Sequence, residues 1–369
     1  MKTISWLLTS RSFEYISVDM KAIGVRNGKG NADAMFVDDS VPDPELREGY
    51  ILVSVKAFGL NRMDIMQRED RYPYKLLPES GSIMGVEFGG FVEAKGENCN
   101  SDFKEGDRVF GLAYGGAYAE KIAVSEKMLM HLPASLSFEV GAGIPEVCKL
   151  PYLPLWSNKL QTFFTAIQAI HLVGGMEEGQ TVLIHAGASG VGQAAIQVAK
   201  MGGASKVIVT AGSDEKCKIC KGLGAEVAVN YRKEDFAPIC VEETGGKGIN
   251  LIIDMVGRDY WLRNTQVAAM EGKIVIVASM SGSKIETFDI RQLMNKRLSL
   301  LTTTLRTRPK EYQEKLRDKF VSDCMGHFKD GTMRITIDAV YPWTQISEAH
   351  KRMEANISAG KIICTVDGS

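Results

Sequence analysis

Several patterns that would assign a function are missing from this sequence of 369 residues. The charges balance, with 44 Lys and Arg against 45 Asp and Glu. There is therefore no basic excess of the kind that nucleic acid or an anionic membrane surface would attract, and we expect neither as a partner. No apolar run reaches the length of a membrane span. What is present is an ordinary globular profile, 45% apolar and 24% charged, with length enough for two domains.

The cysteines and histidines also lack a pattern. The seven cysteines lie at positions 99, 148, 217, 220, 240, 324 and 364, an odd and irregular set that indicates a reducing compartment rather than disulfides. Cys217 and Cys220 form a CxxC, but one pair cannot complete a tetrahedral zinc site, so we expect unreactive cysteines on a helix face. The histidines at 131, 171, 185, 327 and 350 show no ligand spacing. The sequence therefore predicts no metal site.

Residues 1–19 form an N-terminal extension with two interpretations. Its apolar patch and two basic residues are faintly similar to a mitochondrial targeting peptide, although Glu14 and Asp19 argue against one. Alternatively, Met20 is the natural start of the protein, since a strand-like segment follows it directly. We expect a cytoplasmic protein, or a mitochondrial one if residues 1–19 are a targeting peptide.

Residues 20–147 carry the signals of a β-rich domain. Short alternating or apolar runs are separated by glycine and proline turns, at 22–25, 51–57, 90–94 and 108–110. This composition predicts a small folded-over β domain. Residues 148–161 then form an insertion. Its two prolines forbid a continuous helix, and its Leu, Tyr and Trp side chains are too apolar for a typical solvated loop. A gene-model artefact is the alternative explanation of this segment.

Residues 162–304 predict an α/β domain with a doubly wound parallel sheet. Helical signal begins at 165–173, and six strands then alternate with helices at 182–185, 206–210, 226–230, 250–254, 273–277 and 298–301. The remaining residues, 305–369, alternate helical and β signals. We expect them to pack back on the first domain.

The turn after the first of these strands predicts a dinucleotide site. Small residues in the sequence Gly187-Ala-Ser189-Gly190-Val191-Gly192 join an apolar strand to the start of a helix. Free N–H groups and the helix dipole favour a pyrophosphate there, and glycine allows its close approach. The spacing is not a strict GxGxxG, because Ser189 occupies the middle glycine position. A β–turn–α unit without a ligand is the alternative reading.

The end of the second strand favours NADPH over NADH. An NAD site of this type usually ends that strand with an acid that accepts from the ribose 2′-OH, but Gly212 and Ser213 stand here instead. Lys216 and Tyr231 are within reach of a 2′-phosphate. Ser213 is equally well explained as a helix cap, and the two acids that follow it would repel a phosphate unless they point away.

Longer stretches of the chain, from Met20 to Asp367, resemble one family. They are Leu60-Asn-Arg-Met-Asp-Ile-Met-Gln-Arg68, Gly85-Val-Glu-Phe-Gly-Gly90, Ile144-Pro-Glu146, His185-Ala-Gly-Ala-Ser-Gly-Val-Gly192, Asn230-Tyr-Arg-Lys-Glu-Asp-Phe236, Asp254-Met-Val-Gly257, Glu348-Ala-His350 and Gly360-Lys361. In order and spacing they are similar to the zinc-free quinone oxidoreductases of the medium-chain dehydrogenase/reductase superfamily, above all to the p53-inducible branch.

The resemblance implies a GroES-like β-rich catalytic domain and a Rossmann domain with the active cleft between them, in a homodimer formed through the Rossmann sheet. It also implies a metal-free enzyme, because zinc-dependent relatives carry a cysteine ligand where this chain has Asn61. Asn61 and Tyr72 would be catalytic hydrogen-bond donors, although a turn-stabilising role for Asn61 and ordinary packing of Tyr72 beside Pro73 are the plain alternatives.

The resemblance also places the remaining site residues. Met66 and Thr165 would line the substrate pocket. The NADPH-binding residues would be Gly187, Ser189, Gly190, Val191 and Gly192 at the pyrophosphate, Gly212, Ser213, Lys216 and Tyr231 at the 2′-phosphate, Val277, Ser279 and Ser281 near the nicotinamide, and Asn356 from the C-terminal region.

These observations predict an NADPH-dependent reductase that transfers hydride to a small-molecule quinone or activated enone without a metal. A quinone gains aromaticity on reduction, so hydrogen-bond donors in a metal-free cleft are chemically sufficient. Two alternatives remain open at this point. One is an enoyl-thioester reductase, acting on an enoyl-CoA or an acyl-carrier-protein thioester. The other is an NADPH-binding protein with an RNA-binding or structural role, against which the neutral charge argues.

Overall fold

The computed structural model describes residues 19–71, 81–145, 163–286, 288–303, 308–355 and 357–366. The predicted insertion at 148–161, most of the predicted extension at 1–19, and the predicted site residues Tyr72 and Asn356 lie outside the described residues. Among the helices of the described part, none is long and apolar enough to cross a membrane.

The first domain is built mainly from antiparallel strands. Its elements up to residue 145 are β1 Asp19–Val25, β2 Met35–Pro42, β3 Tyr50–Gly59, α1 Arg62–Arg68, β4 Glu87–Lys95, β5 Arg108–Leu112, β6 Lys121–Ser125, β7 Leu129–His131 and α2 Phe138–Gly143. Strands β1 and β2 form a separate antiparallel pair. Strand β3 alternates buried and half-buried residues along most of its length, as expected for a strand with one face on the core.

The second domain is the predicted α/β unit. Its elements are α3 Phe163–Ile167, continued by a π-helical segment Gln168–Val173, then β8 Thr181–Ile184, α4 Gly190–Met201, β9 Lys206–Ala211, α5 Asp214–Gly222, β10 Val227–Asn230, α6 Phe236–Glu243, β11 Ile249–Asp254, α7 Trp261–Val267, β12 Ala268–Ile276, α8 Arg291–Met294 and β13 Ser299–Thr302. Helix α9, Lys310–Lys329, belongs to residues 305–369 beyond this unit, and it packs against α3 as well as against residues 126–128 of the first domain.

Strands β8 to β13 form a six-stranded parallel sheet in the order β10-β9-β8-β11-β12-β13. Counted from β8, this is 3-2-1-4-5-6, the strand order of a Rossmann fold. The central strands β8 and β9 are almost entirely buried, because helices cover both faces of the sheet. The predicted fold class is confirmed, and each of the six predicted strands is found within a few residues of its expected position.

The polypeptide returns to the first sheet at its C-terminal end. The last elements are β14 Ile337–Pro342, α10 Ile346–Glu354 and β15 Lys361–Thr365. Strand β15 pairs antiparallel with β3, and β14 lies outside β15 at the sheet edge, giving the order β14-β15-β3-β4-β5-β7, while β6 also pairs with β3. Residues from both ends of the chain therefore meet on one sheet, and this brings Asn61 and Lys361 together.

Candidate active site

The turn between β8 and α4 has the geometry of a pyrophosphate site. Ser189 caps α4, and its Oγ accepts a hydrogen bond from the Gly192 N–H over 3.1 Å. A Cβ on Gly192 would lie 2.4 Å from the Ala186 carbonyl oxygen, so only glycine allows the turn to fold this tightly. The other first-turn N–H groups of α4 point out of the helix end, where the dipole favours an anion. The residues present therefore fit a dinucleotide.

The end of β9 carries the second predicted part of the cofactor site. Ser213 caps α5 by accepting from the Lys216 N–H over 3.2 Å. The Tyr231 ring lies directly over Gly212, since a Cβ there would come within 2.7 Å of the Tyr231 hydroxyl. No described residue forms an ion pair with Lys216. Ser213 and Lys216 thus belong to the start of α5, Tyr231 lies against Gly212, and the strand end contributes no acid.

Asn61, the predicted catalytic residue, belongs to a buried polar cluster. Its Nδ2 donates to Glu87 Oε1 over 2.9 Å, and its Oδ1 accepts from Lys361 Nζ over 2.9 Å. Lys361 and Glu87 also form a direct ion pair. All three side chains are at most 1% exposed. Because Asn61 is bound at both ends of its amide, its orientation is fixed by a cation on one side and an anion on the other.

A second buried network lies behind this cluster. Asp64 Oδ2 accepts from the Asn61 backbone N–H over 2.7 Å and from the Tyr118 hydroxyl over 2.7 Å. The Tyr118 hydroxyl lies 3.5 Å from His350 Nε2. Arg68 Nη1 donates to His350 Nδ1 over 3.1 Å, which places the histidine proton on Nε2. Asp64 and Arg68 of α1, His350 of α10, and Tyr118 thus form one network, and this network holds the backbone of Asn61 through Asp64.

Burial sets the charges in this second network. It raises the pKa of Asp64 to about 7, against the opposing effect of the hydrogen bonds from Tyr118 and the Asn61 N–H. Burial, reinforced by the neighbouring Arg68, lowers the pKa of His350 to about 3. His350 is therefore neutral at physiological pH, while the carboxyl of Asp64 gains a proton more readily than an exposed aspartate does.

One residue of the polar cluster and one residue of the cofactor turn line the same cleft at the domain boundary. Gly190, at the start of α4, and Lys361, on β15, line one narrow cleft together with Phe163 of α3. On the same short helix, Thr165 is buried and its Oγ1 has no hydrogen-bond partner among the described residues. A buried hydroxyl without a partner is a natural contact for a polar group of a ligand.

The described residues contain no group of three or more His, Cys, Asp or Glu side chains that could hold a metal ion. His185 shows how one of the histidines is used instead. Its Nε2 lies 2.7 Å from Asn264 Oδ1 and its Nδ1 lies 3.1 Å from Thr210 Oγ1, within the sheet core. Burial lowers the pKa of His185 to about 4, so it is a neutral structural residue.

Comparison with known proteins matches each half of this arrangement to a family model. Residues 47–134 match the alcohol dehydrogenase GroES-like domain, and residues 190–322 match the zinc-binding dehydrogenase domain. The quinone oxidoreductases of Lama guanicoe and Homo sapiens are each 30% identical to the chain, and each alignment covers 88% of this chain and 91% of the relative. The chain belongs to the quinone oxidoreductase family of the medium-chain dehydrogenases/reductases. It is therefore an oxidoreductase, and the predicted family and GroES-like domain are confirmed.

Solved structures of the superfamily agree with this assignment. A mycobacterial quinone oxidoreductase superposes with a TM-score of 0.79 at 26% identity, covering 94% of this chain and 100% of its own. A mycobacterial protein in complex with NADPH has a TM-score of 0.74 at 27% identity, with the same coverage. An NAD-dependent alcohol dehydrogenase has a TM-score of 0.77 at 28% identity, covering 94% of this chain and 99% of its own. The description of one of these proteins names NADPH, and that of another names NAD.

The predicted nicotinamide residues Val277, Ser279 and Ser281 follow β12. The Val277 N–H donates to the Asp254 carbonyl over 2.7 Å, and Ser279 packs beside Gly257. The hydroxyl of Ser281 donates to the Val256 carbonyl over 2.9 Å and accepts from the Asp259 N–H over 2.9 Å. Ser281 therefore holds two loops of the domain together. Met66, predicted for the substrate pocket, is buried on α1 in the turn after Asp64.

Sequence reasoning missed the partners of Asn61. It quoted Glu87 and Lys361 within family motifs but gave neither a role. One signal was available: each is a charged residue directly beside apolar strand residues, Val86 and Phe88 for the first and Ile362 and Ile363 for the second. A charge in a buried strand needs a partner of opposite sign. The pairing itself could not be read from the sequence, since 274 positions separate the two residues.

Proposed function

We propose that this protein reduces quinones or related activated enones by zinc-independent hydride transfer from NADPH. The observation that carries the proposal is the cleft that joins the pyrophosphate turn at Gly190 to the Asn61 cluster through Lys361. When bound, NADPH would supply the hydride. The protein's part is to hold cofactor and acceptor together and to stabilise charge that develops on the acceptor oxygen.

We assign the stabilisation of the acceptor oxygen to Asn61, which would donate a hydrogen bond to it. One Nδ2 hydrogen is bound to Glu87, which leaves the second available for a substrate oxygen. The donor is preorganised, because Lys361 and Glu87 together prevent the amide from rotating. Tyr72, which we propose as a second donor, and Asn356, proposed as a cofactor contact, lie outside the described residues.

Three features support NADPH over NADH. The second strand of the Rossmann sheet ends without an acid, Lys216 has no ion-pair partner among the described residues, and Tyr231 covers Gly212. A cation and a hydroxyl suit a dianionic 2′-phosphate, while the strand end itself offers no carboxylate to accept the hydrogen of a ribose 2′-OH. The Lys216→Met variant should weaken NADPH binding and leave NADH binding unchanged. The control is Lys218→Met, which removes an exposed lysine two residues further along the same helix.

Asn61 also supports a metal-free mechanism. It stands where zinc-dependent members of the superfamily carry a cysteine ligand, and its amide is already committed to Glu87 and Lys361. A neutral amide with both ends occupied is a poor zinc ligand, since zinc prefers thiolate, imidazole and carboxylate. Dialysis against a chelator should therefore leave the activity of the purified protein unchanged.

A purified-protein assay tests the proposal. NADPH and NADH are each supplied with 9,10-phenanthrenequinone, and separately with crotonyl-CoA. We expect NADPH oxidation with the quinone and a higher kcat/KM for NADPH than for NADH. A preference for crotonyl-CoA would instead identify an enoyl-thioester reductase. Tight NADPH binding without oxidation by any acceptor would favour a binding protein.

We also propose that the protein is a homodimer formed along β13. This strand is the edge of the parallel sheet. Exposed apolar side chains lie on it and in the segment that precedes it, namely Leu300 on the strand and Phe288, Ile290 and Met294 before it. An open edge with apolar neighbours favours pairing with a second copy about a two-fold axis. Sedimentation analysis should show a dimer, and Leu300→Lys should shift it to monomer.

A further inference from the structure

The Rossmann domain carries an acidic residue at the start of α5, where its charge would repel a 2′-phosphate. Asp214 is the first residue of this helix, directly after the capping Ser213. In a first helical turn an acid stabilises the helix dipole by a few tenths of a kcal/mol. The same negative charge would oppose a dianion bound at Ser213 and Lys216. The structure shows how this conflict is resolved.

Both oxygens of the Asp214 carboxylate are held, one by Asn230 at the end of β10 and the other by Lys233, three residues further on. Oδ1 accepts from Asn230 Nδ2 over 2.7 Å, and Oδ2 accepts from Lys233 Nζ over 2.6 Å. These two hydrogen bonds, that from Lys233 first, lower the pKa of Asp214 and keep it ionised and paired. The carboxylate is thus directed toward β10 and balanced by a full positive charge.

The residues that hold Asp214 flank Tyr231, which covers the cofactor position at Gly212. Asn230 is the last residue of β10 and is almost fully buried, and its Oδ1 accepts from the Arg232 N–H over 3.2 Å. The Tyr231 N–H donates to the Ala211 carbonyl over 3.1 Å. One tetrapeptide, Asn230 to Lys233, therefore presents the tyrosine and restrains the acid at once.

We propose that Asn230 and Lys233 act as a clamp on Asp214 and determine cofactor specificity by keeping its carboxylate away from the 2′-phosphate. This deepens the proposed NADPH specificity and rests on it. The clamp acts through Asp214, so Lys233 is a positioning residue and does not contact the cofactor. Without Lys233, the carboxylate keeps only the neutral hydrogen bond from Asn230, so its negative charge is no longer balanced and acts on the site that Ser213 and Lys216 form.

Glu215, the second acid in this turn, is not clamped in the same way. It is exposed, and the hydrogen bonds that lower its pKa come from its own backbone N–H and from Ser213. The structure therefore distinguishes the two acids. Glu215→Gln should strengthen binding of a 2′-phosphate, because its charge is not balanced by a cation held against it.

The test measures binding of 2′,5′-ADP and of 5′-AMP to the full-length protein by titration calorimetry. Lys233→Met should weaken 2′,5′-ADP by about two- to fivefold, the effect of one exposed charge, and leave 5′-AMP unchanged. The double variant Asp214→Asn/Lys233→Met has the net charge of the wild type. It should bind 2′,5′-ADP within about twofold of the wild type, since no acid is left to restrain.

A double variant that binds 2′,5′-ADP as weakly as Lys233→Met does would overturn the clamp, because Lys233 would then contact the phosphate itself. Unchanged binding in Lys233→Met would overturn it as well. The side chain of Lys233 is 64% exposed, so folding of these variants is not at risk. The preference of the wild type for 2′,5′-ADP over 5′-AMP tests the NADPH proposal, and the change of that preference between variants tests the clamp. The two can therefore fail separately.

Discussion

Lys361 donates a hydrogen bond to Asn61 Oδ1 over 2.9 Å and forms an ion pair with Glu87, the residue that accepts from the other end of the same amide. Rotating the amide by half a turn would place its N–H₂ against an ammonium and its oxygen against a carboxylate. Both contacts are repulsive, so the amide has one stable orientation. The last strand of the protein thus fixes a side chain at the start of α1.

Asn61→Ala removes the donor that we place at the acceptor oxygen. We expect kcat with 9,10-phenanthrenequinone to fall by about tenfold or more, since loss of one preorganised donor is costly even for an easily reduced acceptor. NADPH affinity should stay within about twofold, because the pyrophosphate turn is untouched. Steady-state kinetics and fluorescence titration separate the two quantities. Asn295→Ala, at an exposed position, is the control, and an unchanged kcat in Asn61→Ala would assign Asn61 to the turn alone.

Lys361→Met removes the ammonium that forms an ion pair with the fully buried Glu87 carboxylate. We expect the free energy of unfolding to fall by roughly 3–5 kcal/mol, as for other buried pairs broken on one side. The double variant Glu87→Gln/Lys361→Met buries no charge at this position and should recover most of that loss. Urea unfolding measures both. In contrast, Lys127→Met breaks the exposed pair with Glu314 and should cost about 1 kcal/mol or less. Equal losses in the single and double variants would contradict this account.

Gly192→Ala and Gly326→Ala form a matched pair of helix substitutions. At Gly192 the added Cβ meets the Ala186 carbonyl at 2.4 Å, so the turn must shift and NADPH affinity should fall by at least about tenfold. At Gly326, in α9, the added Cβ meets nothing within 4 Å. That variant should keep NADPH affinity and gain up to about 1 kcal/mol of stability from helix propensity. Thermal unfolding measures the stability of both variants, and cofactor titration measures their NADPH affinity. Normal NADPH binding by Gly192→Ala would show that binding does not require a residue without a Cβ at this position.

The second domain was predictable because its signals are local. A buried parallel strand such as β8 is a continuous apolar run, and each helix of the turn region begins at a capping residue, Ser189 or Ser213. Such features occupy a few neighbouring positions and can be read from the sequence. The sixfold alternation of strand and helix then restricts the topology to very few choices.

The support of Asn61 could not be predicted for the opposite reason. Asp64 caps Asn61 from three residues away, which is a local pattern, but Lys361 and His350 reach the same region from the other end of the chain. Their contacts depend on β15 pairing with β3 and on α10 packing beside α1. The ion pair between Asp214 and Lys233 could not be predicted either, because it depends on the relative positions of α5 and β10.

His185 predicts a loss of stability on the acid side of neutrality. Burial lowers its pKa to about 4 in the folded protein, while the unfolded chain has an ordinary value near 6.5. Above pH 7 the residue is neutral in both states and costs nothing. As the pH falls through 6.5 the unfolded state takes up the proton first, so stability is lost progressively down to about pH 4. Between pH 7.5 and 5 the loss amounts to about 2 kcal/mol.

The measurement is urea unfolding of the wild type and His185→Gln at several pH values between 5 and 7.5. We expect the variant to be less stable throughout, because Asn264 and Thr210 lose their hydrogen-bond partner, but its stability should change with pH by about 2 kcal/mol less than that of the wild type. His350 stays in both proteins and contributes a loss of the same sign, since burial lowers its pKa as well. His327→Gln, at a partly exposed position, should retain the wild-type pH dependence. If His185→Gln retains it too, the buried histidine is protonated in the folded state, and the hydrogen bonds to Asn264 and Thr210 must be assigned to a charged ring.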